Sequence, residues 1–428
     1  MSNTMIEQMP KYESYKDSGV EWLGELPNEW NVTPLKFVLA LISEKESSKN
    51  SQLPYLGMEN IESWTGKIIS GESEVEGLAS RFFANDILFG KLRPYLAKVA
   101  LMKDDGICST ELLVYRAKSN PEFFKYLLGS ELFISLVNAS TYGSKMPRAN
   151  SNFIGNQKLP IPSQDEMVAI SSYLDNKTTQ INEAIAIKQK QIELLKERKQ
   201  IIIQQAVTQG LNPDVPMKDS GVDWIGAIPE HWNVKRLKYV LEERNERSKT
   251  GEEPLFMVSQ VHGLVVRADY HEKAEVAASN IDSKIVYKND LVFNKLKAHL
   301  GVFFKSNIDF KGLVSPDYAV YKSKAYINDM KILELLFRHP SYIEQFVIRA
   351  TGIVEGLIRL YTSELFDIAV PIAPENEQRE IISFVESQCL KHDQAIAIQV
   401  QQIEKLKEYK TTLINSVVTG KIKVPGVV

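Results

Sequence analysis

Residues Lys16 to Leu39, KDSGVEWLGELPNEWNVTPLKFVL, return from Lys218 to Leu241 as KDSGVDWIGAIPEHWNVKRLKYVL, an offset of 202 residues. The match sets Trp22 against Trp224, Pro27 against Pro229 and Trp30 against Trp232. A period this long is far above the roughly 20–50 residues of solenoid and propeller units, so a whole domain has been duplicated. Such a chain folds as related bodies and presents two similar surfaces to a partner.

The correspondence runs to the end of the sequence. NDILFGKL from Asn85 answers to NDLVFNKL from Asn289, and GICSTELLVYR from Gly106 to GLVSPDYAVYK from Gly312. A pair of helical segments follows in each half, EFFKYLLGSELFISLV and KILELLFRHPSYIEQFVI, then a Gly-containing loop, TYGSKMPR or TGIVEGLIR. KLPIPSQDE from Lys158 finally matches AVPIAPENE from Ala369, by which point the offset has grown to 211. The length changes fall between landmarks, where loops tolerate insertion.

Short apolar runs near Ile87, Leu112, Leu291 and Val314, bounded by Asp, Gly, Pro and Ser, predict strands. Pro27 and Pro229 disfavour helix just before them, which suits an extended opening segment. Each repeat is therefore expected to be α+β. From about Asp165 to Gly210 the pattern changes: proline and interior glycine vanish, and Leu174, Ile181, Ile185, Ile192, Leu195, Ile202 and Ala206 recur at heptad spacing. Adding 211 gives Val385, His392, Ile396, Ile403, Leu406, Leu413 and Val417, so the seam is duplicated in phase. Polar residues interrupt both seams at matching places, Lys188 with Gln399 and Lys199 with Lys410. Two helices of about 35–40 residues would be some 50–60 Å long, more than one domain of this size needs to cover itself. Pairing with each other is the expectation.

The division expected is 1–160 and 213–370 for the two repeated domains, with 161–212 and 371–428 as helical regions. At 428 residues the chain is long enough for each domain to bury its own core. Hydrophobic content of 44% and charged content of 25% are those of globular proteins. The polar start lacks the apolar core of a signal peptide, and no window approaches 18 uninterrupted apolar residues, so a cytoplasmic protein is expected. Cys108 and Cys389 occupy unmatched places and suggest neither a disulfide nor a metal site.

Catalytic constellations are missing. Gly66-Lys67, Gly90-Lys91 and Gly420-Lys421 lack the upstream glycine and following hydroxyl of a phosphate loop. Asn120-Pro121-Glu122-Phe123 resembles a methyltransferase motif only in part and begins a helix. Pro316-Asp317, with Thr110-Glu111 as its counterpart, lacks the second acid of a nuclease motif and reads as the start of a strand. The histidines, among them His231, His262, His271, His299 and His339, show no metal-ligand spacing, and no G-x-S-x-G elbow occurs. No cofactor or metal is expected.

Binding remains. Lys91, Arg93 and Lys98 cluster with Tyr95 in FGKLRPYLAK, and Lys295, Lys297 and His299 sit at the matching place in FNKLKAHLG. Basic side chains beside an aromatic at a strand end suit phosphate or base-edge contact; a solvated basic face is the competing reading. Lys145 and Arg148 in GSKMPRAN, and Arg359 in EGLIRLYTS, lie on loops that could follow the helix pair into a groove. The net charge of −3 argues against a strongly basic nucleic-acid binder, so phosphate attraction must come from local clusters or from a partner.

Together the opening KDSGVEWLGELPNEW, the FGKLRPYLAK and GLVSPDYAVY strands, the PIPSQDE and PIAPENEQ boundaries, and the AVTQG and VVTGKI endings resemble the specificity subunit of type I restriction-modification systems. The resemblance covers almost the whole chain. It implies two target recognition domains, each reading one half of an asymmetric bipartite site on double-stranded DNA. They would be joined by two long helices forming an antiparallel coiled coil with pseudo-twofold symmetry. It also implies docking of two methyltransferase subunits, with two motor-nuclease subunits in the full complex and no catalysis by this chain. The second half carries Lys297-Ala298 in place of Arg93-Pro94, and its post-helix loop lacks the Pro147-Arg148 pair. Different half-sites are therefore expected. The alternative is a structural adaptor that grips proteins, with the coiled coil as a spacer.

Overall fold

The computed structural model describes residues 8–48, 51–71, 77–143, 145–259, 262–270, 280–352 and 359–426, with the side chains at 298 and 299 outside that description. The chain forms two compact units, Met1–Lys190 with Gln399–Val428, and Gln191–Ile398. Each long helix is thus shared between the units.

In the first unit an antiparallel sheet has the spatial order Leu39–Ile42, Leu112–Ala117, Asp86–Gly90, Val99–Leu101. DILFG is apolar without alternation because both faces of its strand are covered. Ile87 and Phe89 join Leu113 and Tyr115 in the larger core, whereas Leu88 joins Ala100, Leu112 and Val114 in a second one. The larger core packs against the helices Pro121–Leu128 and Glu131–Ala139. Pro121 suits the first turn of a helix, where its missing N–H costs nothing, and Ser130 caps the second helix by accepting from the Phe133 amide at 3.3 Å.

The second unit repeats the plan. Its sheet runs Leu241–Glu243, Tyr318–Ser323, Leu291–Asn294, Phe303–Lys305 in the same order and sense. Leu291, Phe293 and Tyr321 face one core, and Val292, Phe304 and Val320 the other. The helices Lys331–Leu336 and Pro340–Arg349 follow. In each unit a Trp of the opening motif, Trp30 or Trp232, is 1% exposed.

A tight turn precedes the central strand in both units. Asn85 and Asn289 adopt left-handed backbone at φ 69° and 65°, a conformation asparagine tolerates better than most residues. The following carboxylates, Asp86 and Asp290, accept from the amides of Phe83 and Tyr287 at 2.8 Å. Both are buried, and an arginine neutralises each.

The long helices, Gln164–Gln209 with 46 residues and Glu375–Val418 with 44, exceed the expected length. At 1.5 Å per residue each is roughly 70 Å long. The first begins beside Ser163, whose hydroxyl accepts from the Glu166 amide at 3.3 Å, and stops before Gly210 at φ 76°. In the first unit residues 164–190 pair antiparallel with 399–418: Lys410 donates to Asn182 at 3.0 Å and Lys188 to Gln399 at 3.2 Å. In the second unit Lys199 meets Asp393 at 2.7 Å, and Ile203, Ala206 and Val207 share a core with Ile381, Ile382 and Val385. The expected seam residues are all buried or half-buried. Among the described residues no helix is long and apolar enough to cross a membrane.

Candidate nucleic-acid interface

The FGKLRPYLAK segment leaves the central strand at Gly90 and turns sharply. Arg93 and Ala97 are both left-handed, at φ 49° and 47°, on either side of a short helical turn at Pro94–Leu96. The post-helix loop lies alongside: Arg93 donates its amide to the Pro147 carbonyl at 2.7 Å, and Ala149 donates to that of Lys91 at 2.9 Å. Lys91 in turn donates its amide to the Glu111 carbonyl at 3.0 Å. Strand end, strand start and loop therefore form one small platform. Arg93, Tyr95 and Lys145 are exposed on it, and Lys91 is half-buried. Lys98 is turned inward, its ammonium 2.6 Å from the Met58 carbonyl.

Arg148 reaches across this platform to Glu111. Its Nε and Nη2 both donate to the carboxylate, at 3.1 Å each. That hydrogen bonding raises the guanidinium pKa above its already high ordinary value.

In the second unit the bond between loop and strand end recurs. Leu360 donates its amide to the Lys295 carbonyl at 3.1 Å, and Arg359 reaches Asp317 at 3.3 Å. Subtracting 211 from 359 gives 148, and subtracting 206 from 317 gives 111, so arginine and acid are both repeat partners. The second loop thus keeps the arginine; only the proline is replaced, by Ile358. The loop therefore lacks the Pro147-Arg148 pair through its proline alone. Of TGIVEGLIR, only Thr351, Gly352 and Arg359 are described. Lys297 is exposed, and the side chain of His299 lies outside the described residues.

Lys295 faces inward. It lies 3.5 Å from Glu243, which also takes Lys284 at 3.0 Å. Burial opposes charge on Glu243, but hydrogen bonds from Lys284 and Thr362 and the charges of both lysines hold its carboxyl below the usual range. Among the described residues no His, Cys, Asp or Glu cluster could hold a metal ion. The arrangement offers oriented donors and stacking surfaces, which is binding chemistry. Reading the residues alone missed Glu111 and Asp317, taken only as strand starts; their matching offset was the available signal.

The family model for the type I restriction modification DNA specificity domain matches residues 27–194. The EcoDI specificity subunit of Escherichia coli is 28% identical over 177 residues, 38% of this chain and 40% of that protein. The MjaVIII specificity subunit of Methanocaldococcus jannaschii is 23% identical, with 98% of each chain aligned. In fold, the chain is similar to the HsdS subunit from Thermoanaerobacter tengcongensis at a TM-score of 0.54 and 19% identity, covering 93% of this chain and 98% of that one. A structure from work on complex assembly and conformational transition of the type I R-M system gives a TM-score of 0.70 at 19% identity, covering 92% and 98%. The chain is thus similar to type I restriction-modification specificity subunits in sequence, through the specificity domain matched over residues 27–194 and a specificity subunit aligned along its whole length, and it shares the fold of the solved structures.

Proposed function

We propose that this chain is the non-catalytic DNA-reading subunit of a type I modification complex. Residues 1–160 read one half of an asymmetric bipartite site and residues 213–370 the other, while the helical regions 161–212 and 371–428 dock two methyltransferase subunits. Two motor-nuclease subunits complete the restriction form. The observation that carries this reading is the repeated platform, in which an arginine paired with an acid recurs beside a lysine-bearing strand end that accepts from the loop in both units. Two related readers suit two related half-sites.

The DNA contacts assigned are Lys91, Arg93, Tyr95, Lys98, Lys145 and Arg148 in the first unit, and Lys295, Lys297, His299 and Arg359 in the second. Those facing outward suit base edges and phosphates, whereas Lys98 and Lys295 would act once released from their present partners. The test is exchange of residues 1–160 for the corresponding domain of a relative with a different target. Adenine methylation by the reconstituted complex is expected to change in one half of the site only. Changes in both halves, or methylation by this chain without its partner, would overturn the assignment.

A further inference from the structure

Arg148 and Arg359 are repeat partners whose side chains are not free: each is tied to an acid at the start of the neighbouring strand. The chemistry of the first pair is specific. A guanidinium has five N–H donors. Glu111 engages the Nε and Nη2 edge, leaving three donors on Nη1 and Nη2. That remaining edge can still donate two parallel hydrogen bonds, the pattern that matches O6 and N7 of guanine. The carboxylate also fixes the plane in which those donors lie, and a planar fork discriminates only when its plane is fixed.

The second pair differs in a defined way. Asp317 is one methylene shorter, and only Nη2 of Arg359 donates to it, at 3.3 Å. Its guanidinium also lies 5.9 Å from the Tyr361 ring centroid. One backbone bond of the frame is shared, with Ala149 and Leu360 donating to the Lys91 and Lys295 carbonyls. The units therefore hold the same residue in the same place but present different donor edges.

We propose that Glu111 and Asp317 are positioning residues for base recognition: each fixes the plane of its arginine, and the change from glutamate to aspartate makes the two units read different bases. The inference rests on the DNA-contact role given above to Arg148 and Arg359. A purely structural role is the competing explanation. The pairs are part-exposed, with side-chain exposures of 37% and 26% for Arg148 and Glu111 and 34% and 70% for Arg359 and Asp317. Ion pairs at such exposure contribute little to stability.

The experiment uses the full chain assembled with its methyltransferase partner, methylating a duplex library randomised across both half-sites and read by sequencing. Glu111→Gln is expected to lose about tenfold or more of the base discrimination at one or two adjacent positions of a single half-site. Arg148→Lys is expected to lose it at the same positions, and Glu111→Asp to shift the preference rather than abolish it. Asp317→Asn should act only on the other half-site. In each variant the untouched half-site reports that the protein is folded. An unchanged profile in Glu111→Gln, a uniform loss over both half-sites, or loss of the fold would each mark the pair as structural and overturn the proposal. If the unaltered complex showed no split-site preference, the DNA-reading role itself would fail instead.

Discussion

The buried aspartates show how a repeat keeps a requirement while moving the residue that meets it. Asp86 receives both bonds of Arg116 at 2.7 Å, and Asp290 receives Arg244 at 2.8 and 3.1 Å. The aromatic beneath each guanidinium is also kept, Phe83 at 4.9 Å and Tyr287 at 4.6 Å. Yet Arg116 and Arg244 are not repeat partners. The residue matching Arg116 is Lys322, which pairs with Glu242 at the surface, with side-chain exposures of 40% and 53%. The NDIL and NDLV matches revealed the aspartates, but a charge supplied by a strand that is not the repeat partner leaves no sequence signature, whereas the acids that clamp Arg148 and Arg359 did recur at the repeat offset. Arg116→Ala leaves a buried carboxylate uncompensated and should destabilise the first unit by about 3 kcal/mol. Arg244→Ala should do the same to the second, whereas Lys322→Ala should cost under about 1 kcal/mol. Denaturant unfolding of the three variants distinguishes this from simple equivalence by alignment, which would make Lys322 the costly site.

Among the elements, the long helices were the most legible, because a buried seam imposes a spacing on the sequence directly. Their ends were less so: the expected 35–40 residues stopped short of the observed 46 and 44, although buried Met167 and Ile170 near the start and Val207 near the end of the first helix extend its apolar face. The first helix also bears a rival series, Ile187, Leu194 and Ile201, at the same seven-residue step, and these are 61%, 52% and 45% exposed. Sequence period alone does not separate the two; duplication does, because only the buried series recurs in phase as aliphatic residues throughout most of the second helix. Leu413, fully buried in the first unit's core, should cost about 3 kcal/mol when changed to alanine. Ile187→Ala should cost under about 0.5 kcal/mol. Amide exchange along residues 164–190 checks both, with faster exchange expected only in the Leu413 variant.

For the molecule as a whole, near-neutral charge and DNA reading are compatible because four of the basic residues proposed as DNA contacts are already paired. Lys98 is held by a carbonyl, Lys295 by Glu243, and Arg148 and Arg359 by acids. Such groups supply direction more readily than bulk attraction, and the net charge of −3 leaves little long-range pull on phosphate. Counterion release then sets a measurable expectation. Each phosphate neutralised contributes a slope of about −0.9 to log Kobs against log salt on B-DNA. This chain alone should therefore bind duplex DNA weakly and with a shallow slope, and assembly with methyltransferase subunits should steepen it by several units. Arg148→Lys in the assembled complex keeps the charge, so it should leave that slope in place while eroding base preference. A steep slope for the isolated chain would mean that the exposed cations Arg93, Lys145 and Lys297 dominate, and that DNA binding by this chain is driven by its own charge rather than by the oriented donors of its two platforms.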